Sequence, residues 1–265
     1  MPLLHFIHLI NPLHALSGFV VGMLVGFTGV GGGSLMTPLL VLVFGIHATT
    51  AVGTDLLYAA ATKSAGTVVH GFSGTVDWTI VSKLAAGSVP ATALTLYALS
   101  HIGKTLDAGH GLITTVLGVA LILTAAAILF RRMIVDYLAK RAGPVSPRRT
   151  TILTILLGAM LGVLVSLSSV GAGAIGVTVL LVLYPRLPAG RLVGSDIAHA
   201  VPLTLLAGLG HWMMGSVNWT LLISLLCGSI PGIIIGSLLS ARAPDRVLRP
   251  ILASTLALVG GKLIF

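Results

Sequence analysis

The chain is written twice. Val30-Gly31-Gly32-Gly33 recurs as Val170-Gly171-Ala172-Gly173, 140 residues on, and after one inserted residue the offset holds at 141. Val52-Gly53-Thr54-Asp55 then matches Val193-Gly194-Ser195-Asp196, and His70 matches His211. Asp77-Trp78-Thr79 matches Asn218-Trp219-Thr220, and Gly87-Ser88 with Pro90 matches Gly228-Ser229 with Pro231. Gly18 and Gly22 find partners in Gly158 and Gly162. Two such copies must bury equivalent faces in equivalent ways, which restricts the fold to arrangements in which the halves meet at a shared junction.

Both copies are apolar. Of the 265 residues, 56% are hydrophobic and 8% charged, against about 25% charged in a soluble domain. Lipid must therefore cover most of the surface, as the repeated apolar runs also require. The net charge of +9 is no nucleic-acid signal, because 11 of the 15 Lys and Arg fall in three connecting loops, where a membrane protein keeps its cytoplasmic charge. One cysteine, Cys227, excludes an intramolecular disulfide and is expected to pack in its apolar run. No Lys or Arg precedes Lys63, so the first segment reads as part of the mature protein rather than a cleaved leader.

Each copy reads as five apolar segments, near 12–28, 34–45, 50–70, 78–99 and 109–130, then 152–168, 174–184, 191–211, 217–239 and 246–264. The second of each set spans about 18 Å as a helix, too little for a hydrocarbon core of about 30 Å. The first two segments are therefore expected to form a short or re-entrant hairpin bent at the glycine-rich elbow. Loop charge fixes the parity. The loop 131–150 carries Arg131, Arg132, Lys140, Arg141, Arg148 and Arg149 and belongs in the cytoplasm. An odd number of crossings per copy returns Arg186, Arg191, Arg242, Arg246 and Arg249 to that side; an even number strands all five outside. The expected fold is an all-α integral membrane protein of two inverted repeats: 1–130, a basic linker 131–150, and 151–265, forming one transport unit.

Three groups of residues stand out as site candidates. The elbows come first. Gly31, Gly32, Gly33 and Ser34 open the second segment, and Gly171, Ala172 and Gly173 open its mate. Helix N-termini carry partial positive charge and free amides, which suit an oxyanion. Thr28, Ser34 and Thr37 add hydroxyls in one copy, Ser166, Ser168 and Ser169 in the other. Close packing by small residues explains the same glycines. Lys63 is the sharpest single residue, a cation near mid-membrane with Thr67 and His70 on its helical face. Asp55 lies eight residues back, about 12 Å along the axis, too far for direct contact on one helix. An incoming anion is the partner expected for Lys63; the alternative is an amine that snorkels or pairs with carbonyls. The position equivalent to Lys63 is Thr204. Third come Asp55 and Asp196, with His199 three residues beyond the latter. They serve either as helix N-terminal acids or in proton coupling.

His70 and His211 end the third segments, but no metal-ligand spacing accompanies them and no metal or cofactor is expected. Trp78 and Trp219 read as interfacial anchors, and Pro90 and Pro231 as mid-segment kinks.

The G-x-G-G-G elbow at Gly29–Gly33, the V-G-T-D at Val52–Asp55, the helix running to His70 and the G-T-V-D-W at Gly74–Trp78 resemble the sulfite exporter TauE/SafE family of membrane transporters. The similarity covers nearly the whole chain. The second copy departs from the pattern at Ala172 and at Asn218. The resemblance implies export of a small sulfur-containing or organic anion, such as sulfite or a sulfonate, across the inner or plasma membrane. No Walker loop is present, so the driving force is an ion gradient or the substrate's own. Two other classes were weighed. An intramembrane aspartyl protease would use Asp55 and Asp196, but neither tetrad carries the second glycine of G-x-G-D. A non-transporting scaffold would have no reason to keep Lys63. The expected partners are a small anion and lipid, not nucleic acid; the oligomeric state is left open.

Overall fold

The computed structural model describes residues 11–28, 33–72, 74–102, 108–133, 135, 137, 146–239, 254, 257 and 261. Nine helices run through the described residues, and no strand occurs among them. In the first copy they are α1 (Pro12–Thr28), α2 (Gly33–Leu42), α3 (Ala48–Phe72), α4 (Trp78–Ile102) and α5 (Ala108–Leu129). In the second they are α6 (Pro147–Ser168), α7 (Ala174–Leu183), α8 (Ala189–Met213) and α9 (Trp219–Leu239). The duplication survives in three dimensions. Gly33 and Ala174, Ala48 and Ala189, and Trp78 and Trp219 start equivalent helices at the 141-residue offset. The tenth expected segment, 246–264, lies outside the described residues apart from three isolated positions.

Local chemistry sets the ends. Ser146 accepts from the Arg149 N–H at 3.4 Å and Pro147 opens α6, the order that pre-shapes a first turn. Asp77 accepts from Thr79 and Ile80 at the head of α4, and Asn218 accepts from Leu221 at the head of α9. Four helices are long and apolar enough to cross a bilayer: α4 over Trp78–His101, α6, α8, and α9 over Trp219–Leu238. α3 matches α8 at 25 residues, but Asp55, Lys63 and several hydroxyls make it more polar. α2 and α7, at 10 residues each, span about 15 Å and cannot cross alone.

The copies interlock by exchange. α1 lies along α9, and its counterpart α6 lies along α4. At the first contact Gly18, Gly22 and Gly26 face the backbone of Leu225, Ser229 and Ile233. Gly228, Gly232 and Gly236 return the contact against Ala15, Phe19 and Met23. At the second, Gly158 and Gly162 face Leu84 and Ser88, and Gly87 faces Ile155. Residue numbers rise together across both contacts, so each pair runs parallel. Small residues at four-residue spacing let such helices close to backbone distance. α3 and α8 pack on each other in the opposite sense: Gly53 meets Ser216 and His211, Leu57 meets Gly208, and Thr75 meets Gly194. Equivalent helices of the two copies thus cross antiparallel through reciprocal contacts.

Two apolar clusters flank this crossing. One joins Val52, Leu56, Leu84, Leu121, Leu161 and Leu203; the other joins Val21, Met36, Leu40, Tyr58, Leu225 and Ile233. α3 contributes to both, which holds its polar residues between them. Leu94, Leu123, Leu156 and Leu238 project outward as a lipid-facing surface would require. Cys227 corrects an expectation. It is exposed on α9 rather than packed, because the helix turns its glycine face inward to α1 and its opposite face away.

Candidate functional site at the crossing of the two halves

The repeated V-G-T/S-D tetrad works across the copies. Gly53 leaves room for the Ser216 carbonyl and Gly194 for that of Thr75, where any Cβ would collide. Thr54 Oγ1 then accepts the Asn218 N–H at 3.0 Å, and Ser195 Oγ accepts the Asp77 N–H at 2.8 Å. Each hydroxyl thus docks the N-cap residue of the other copy, each bond contributing about 1 kcal/mol. Thr54 thus serves the opposite half rather than its own helix. With the third residue docked, the fourth is delivered to the crossing. Asp55 and Asp196 are both fully buried.

Their surroundings differ. Thr37 on α2 donates to Asp55 Oδ2 through a short hydrogen bond. The hydroxyl of Ser169, from the second elbow, faces the same carboxylate without closing a hydrogen bond of good geometry. The second elbow of one half therefore stands beside the acid of the other. Asp196 has no hydrogen-bond partner on either oxygen. Its carboxylate lies over Gly176 of α7, where a Cβ would collide with it, next to Leu161.

Lys63 is 3% exposed. Its charge interacts with both Asp55 and Asp196, yet no carboxylate comes within 4.0 Å of it; the ion pair found among the described residues is Arg191–Asp77. An acid from each half, Asp55 on the same helix and Asp196 on α8, interacts with the Lys63 charge. Thr67 sends its hydroxyl back to the Lys63 carbonyl at 2.8 Å. His199 does not hydrogen-bond Asp196. Its Nε2 pairs with Ser88 Oγ on α4 at 2.9 Å, and its Nδ1 is unpartnered. The equivalent position is Tyr58, which lies among Gly18, Thr62 and Ser229, while Thr62 and Ser229 join at 2.9 Å. His211 Nε2 donates to the Ser166 carbonyl at 2.9 Å.

The second elbow is fully described. Ser169 ends α6 in the left-handed region at φ 58°, Gly171 follows at φ 111°, and Gly173 leads into α7. Gly171's carbonyl receives the Ile175 and Gly176 amides, whereas the N–H groups of Ala172 and Gly173 bond to no described residue. Of the three serines expected to line it, Ser166 and Ser168 turn back onto Gly162 and Leu164 of their own helix; only Ser169 keeps its hydroxyl unengaged. Gly31, Gly32 and the side chains of Ser34 and His70 lie outside the described residues, and Gly33 begins α2. No group of three His, Cys, Asp or Glu that could hold a metal occurs among the described residues.

Sequence reasoning passed over Tyr58 and the Asp77–Arg191 pair. The 141-residue offset carried a signal for Tyr58, since it aligns with His199. Nothing in the sequence joins Asp77 to Arg191, which meet at 3.3 Å across the two halves.

Comparison with known proteins matches this architecture to one family. The family model of the sulfite exporter TauE/SafE covers residues 14–263. The chain is 40% identical over 250 residues to the probable membrane transporter protein YjnA of Bacillus subtilis, covering 94% of this chain and 98% of that protein. It is 30% identical over 254 residues to the probable membrane transporter protein YdhB of the same organism, covering 93% and 97%. A probable membrane transporter protein of Xylella fastidiosa is 26% identical over 239 residues, covering 85% and 83%. No solved structure matches. With its apolar helices, its duplicated junction and a match along almost its whole length, the chain belongs to the sulfite exporter TauE/SafE family of multi-pass membrane transporters.

Proposed function

We propose that the protein is a secondary transporter that exports a small sulfur-containing or organic oxyanion, sulfite-like or sulfonate-like, across the cytoplasmic membrane by alternating access. The observation that carries this reading is Lys63: a cation 3% exposed, at the crossing of the two halves, without an ion pair to any described residue. A charge in that position costs several kcal/mol unless function requires it. The Ala172 and Gly173 amides and the Ser169 hydroxyl offer further donors without partners among the described residues. The antiparallel crossing of α3 and α8, with the loop charges, supports inverted repeats whose shared junction is the substrate site. Asp55, Asp196 and His199 are the protonatable groups around it.

The experiment is flux into liposomes, with sulfite and methanesulfonate as probes. The wild type moves at least one, and Lys63→Ala reduces that flux at least tenfold while the protein remains folded and monodisperse. Lys63→Arg restores only part, because a planar fork replaces a compact ammonium. Full flux in the alanine variant would leave Lys63 structural.

A further inference from the structure

The two acids at the crossing are not equivalent, and we infer that Asp196 alone is the site of the coupled ion, that this ion is a proton rather than a metal cation, and that it travels in the same direction as the anion. The inference rests on the transporter reading and deepens it. The Lys63 charge acts on both acids, so the donor is what separates them. Asp55 accepts a hydrogen bond from Thr37, and a donor favours the ionised form, which makes Asp55 the standing counter-charge of Lys63. Asp196, fully buried, has no donor on either oxygen. A carboxylate without donors in an apolar setting is the one that gains most from binding a proton.

The same surroundings select the ion. A hard metal cation needs several oxygen ligands around it. Asp196 instead abuts Gly176 and Leu161, and the described residues contain no cluster of three metal-ligating side chains. A proton needs one lone pair. The groups facing Asp196 that could compete for it are few. Lys63 comes from α3, and His199 lies one turn along α8 with Nε2 committed to Ser88. From α6 and α7 the neighbours are Leu161 and Gly176, both uncharged.

The sign of coupling follows from charge. With Asp196 ionised, two carboxylates share one lysine and the triad carries one net negative charge. With an O–H bond formed on Asp196, the triad is neutral and Lys63 is open to an anion. Proton and anion therefore strengthen each other's binding, reciprocally. The loaded site then turns to the other face, where the anion leaves, the O–H bond breaks and the proton enters water on that side; the anion's own outward gradient drives export, and an inward proton gradient opposes it. Anion affinity is full at low pH and is lost as pH rises through the Asp196 titration, by up to about tenfold per pH unit for one linked proton.

The test uses purified full-length protein in liposomes, with methanesulfonate, which stays ionised throughout, beside sulfite. In the wild type, an acidic exterior drives accumulation at least fivefold above equal pH, and a sodium gradient does not. Asp196→Asn loses the response to the pH gradient, read as the ratio of its flux with the gradient to its flux at equal pH. Asp55→Asn loses exchange itself. Drive by sodium, undiminished pH drive in Asp196→Asn, or accumulation toward the alkaline side would each overturn the inference. Failure of the wild type to move either probe would instead count against the proposed function. Should Asp196→Asn not fold or carry too little flux to read, wild-type protein in weak buffer decides: one proton is taken up per methanesulfonate bound, and none taken up, or one released, refutes the assignment.

Discussion

Asp55 and Asp196 occupy the same place in two copies of one helix, docked by the same hydroxyl-to-amide bond, yet one is held by Thr37 and the other has no donor. Lys63 against Thr204, and Tyr58 against His199, repeat the lesson. What the duplication preserved is scaffold: Gly53 and Gly194, Thr54 and Ser195, and the reciprocal glycine contacts. What it released is chemistry: one copy carries Lys63 and Tyr58 where the other carries Thr204 and His199. The second copy also keeps Thr178 at the position of Thr37, but there the hydroxyl turns back to the Ala174 carbonyl at 2.6 Å. Equivalent residues have thus taken different partners without any change of fold.

The contrast can be attacked directly. The largest effect is expected from Thr37→Val, which strips Asp55 of its donor. Loss of a hydrogen bond to a buried charge costs about 1.5–3 kcal/mol, and anion flux should fall at least tenfold. Thr178→Val should change thermal stability and flux little, since its hydroxyl serves only its own helix. Equal effects in the two variants would erase the distinction between the acids. A middle-sized effect tests the scaffold. Gly232→Ala drives a Cβ into the Phe19 carbonyl and to 3.0 Å from the Met23 amide, at a cost of about 1–3 kcal/mol. At the other contact the equivalent residue is already Ala91, so Ala91→Gly should lower stability by no more than about 1 kcal/mol. Melting curves of the purified variants compare the two. The smallest effect should come from Asp77→Asn, which copies the second half's Asn218. The lost pair with Arg191 is 44% and 21% exposed, and such a pair contributes about 0–1 kcal/mol. A large shift in melting or flux there would make that pair more than a surface contact.

Much of this was legible because it is local or repeated. Segment ends near 28, 78, 168 and 219 could be read from glycine, proline and polar breaks, and the acids and Lys63 stand out wherever a charge interrupts an apolar run. Partners were harder. Ser88 and His199 are separated by 111 residues, and Thr62 and Ser229 by 167; only the packing of α4 on α8 and of α3 on α9 brings them together. Even the tetrads, plainly a motif, did not announce that Thr54 and Ser195 act on the opposite copy. Hydroxyls were the least readable, because Ser166 and Ser168 satisfy themselves within one turn while Ser169, one residue past the helix end, does not.

The parallel pairing of α1 with α9 and of α6 with α4 separates heredity from mechanics. The seam left by duplication runs through the linker 131–150, but the surfaces pressed to backbone distance belong to opposite copies. Neither copy can swing away as a body without tearing its first helix from the other's fourth. Any opening around Lys63 that keeps these contacts moves α1 together with α9, and α6 together with α4, as units that mix the two copies. Cutting the chain within its linker should accordingly yield two fragments that depend on each other to assemble.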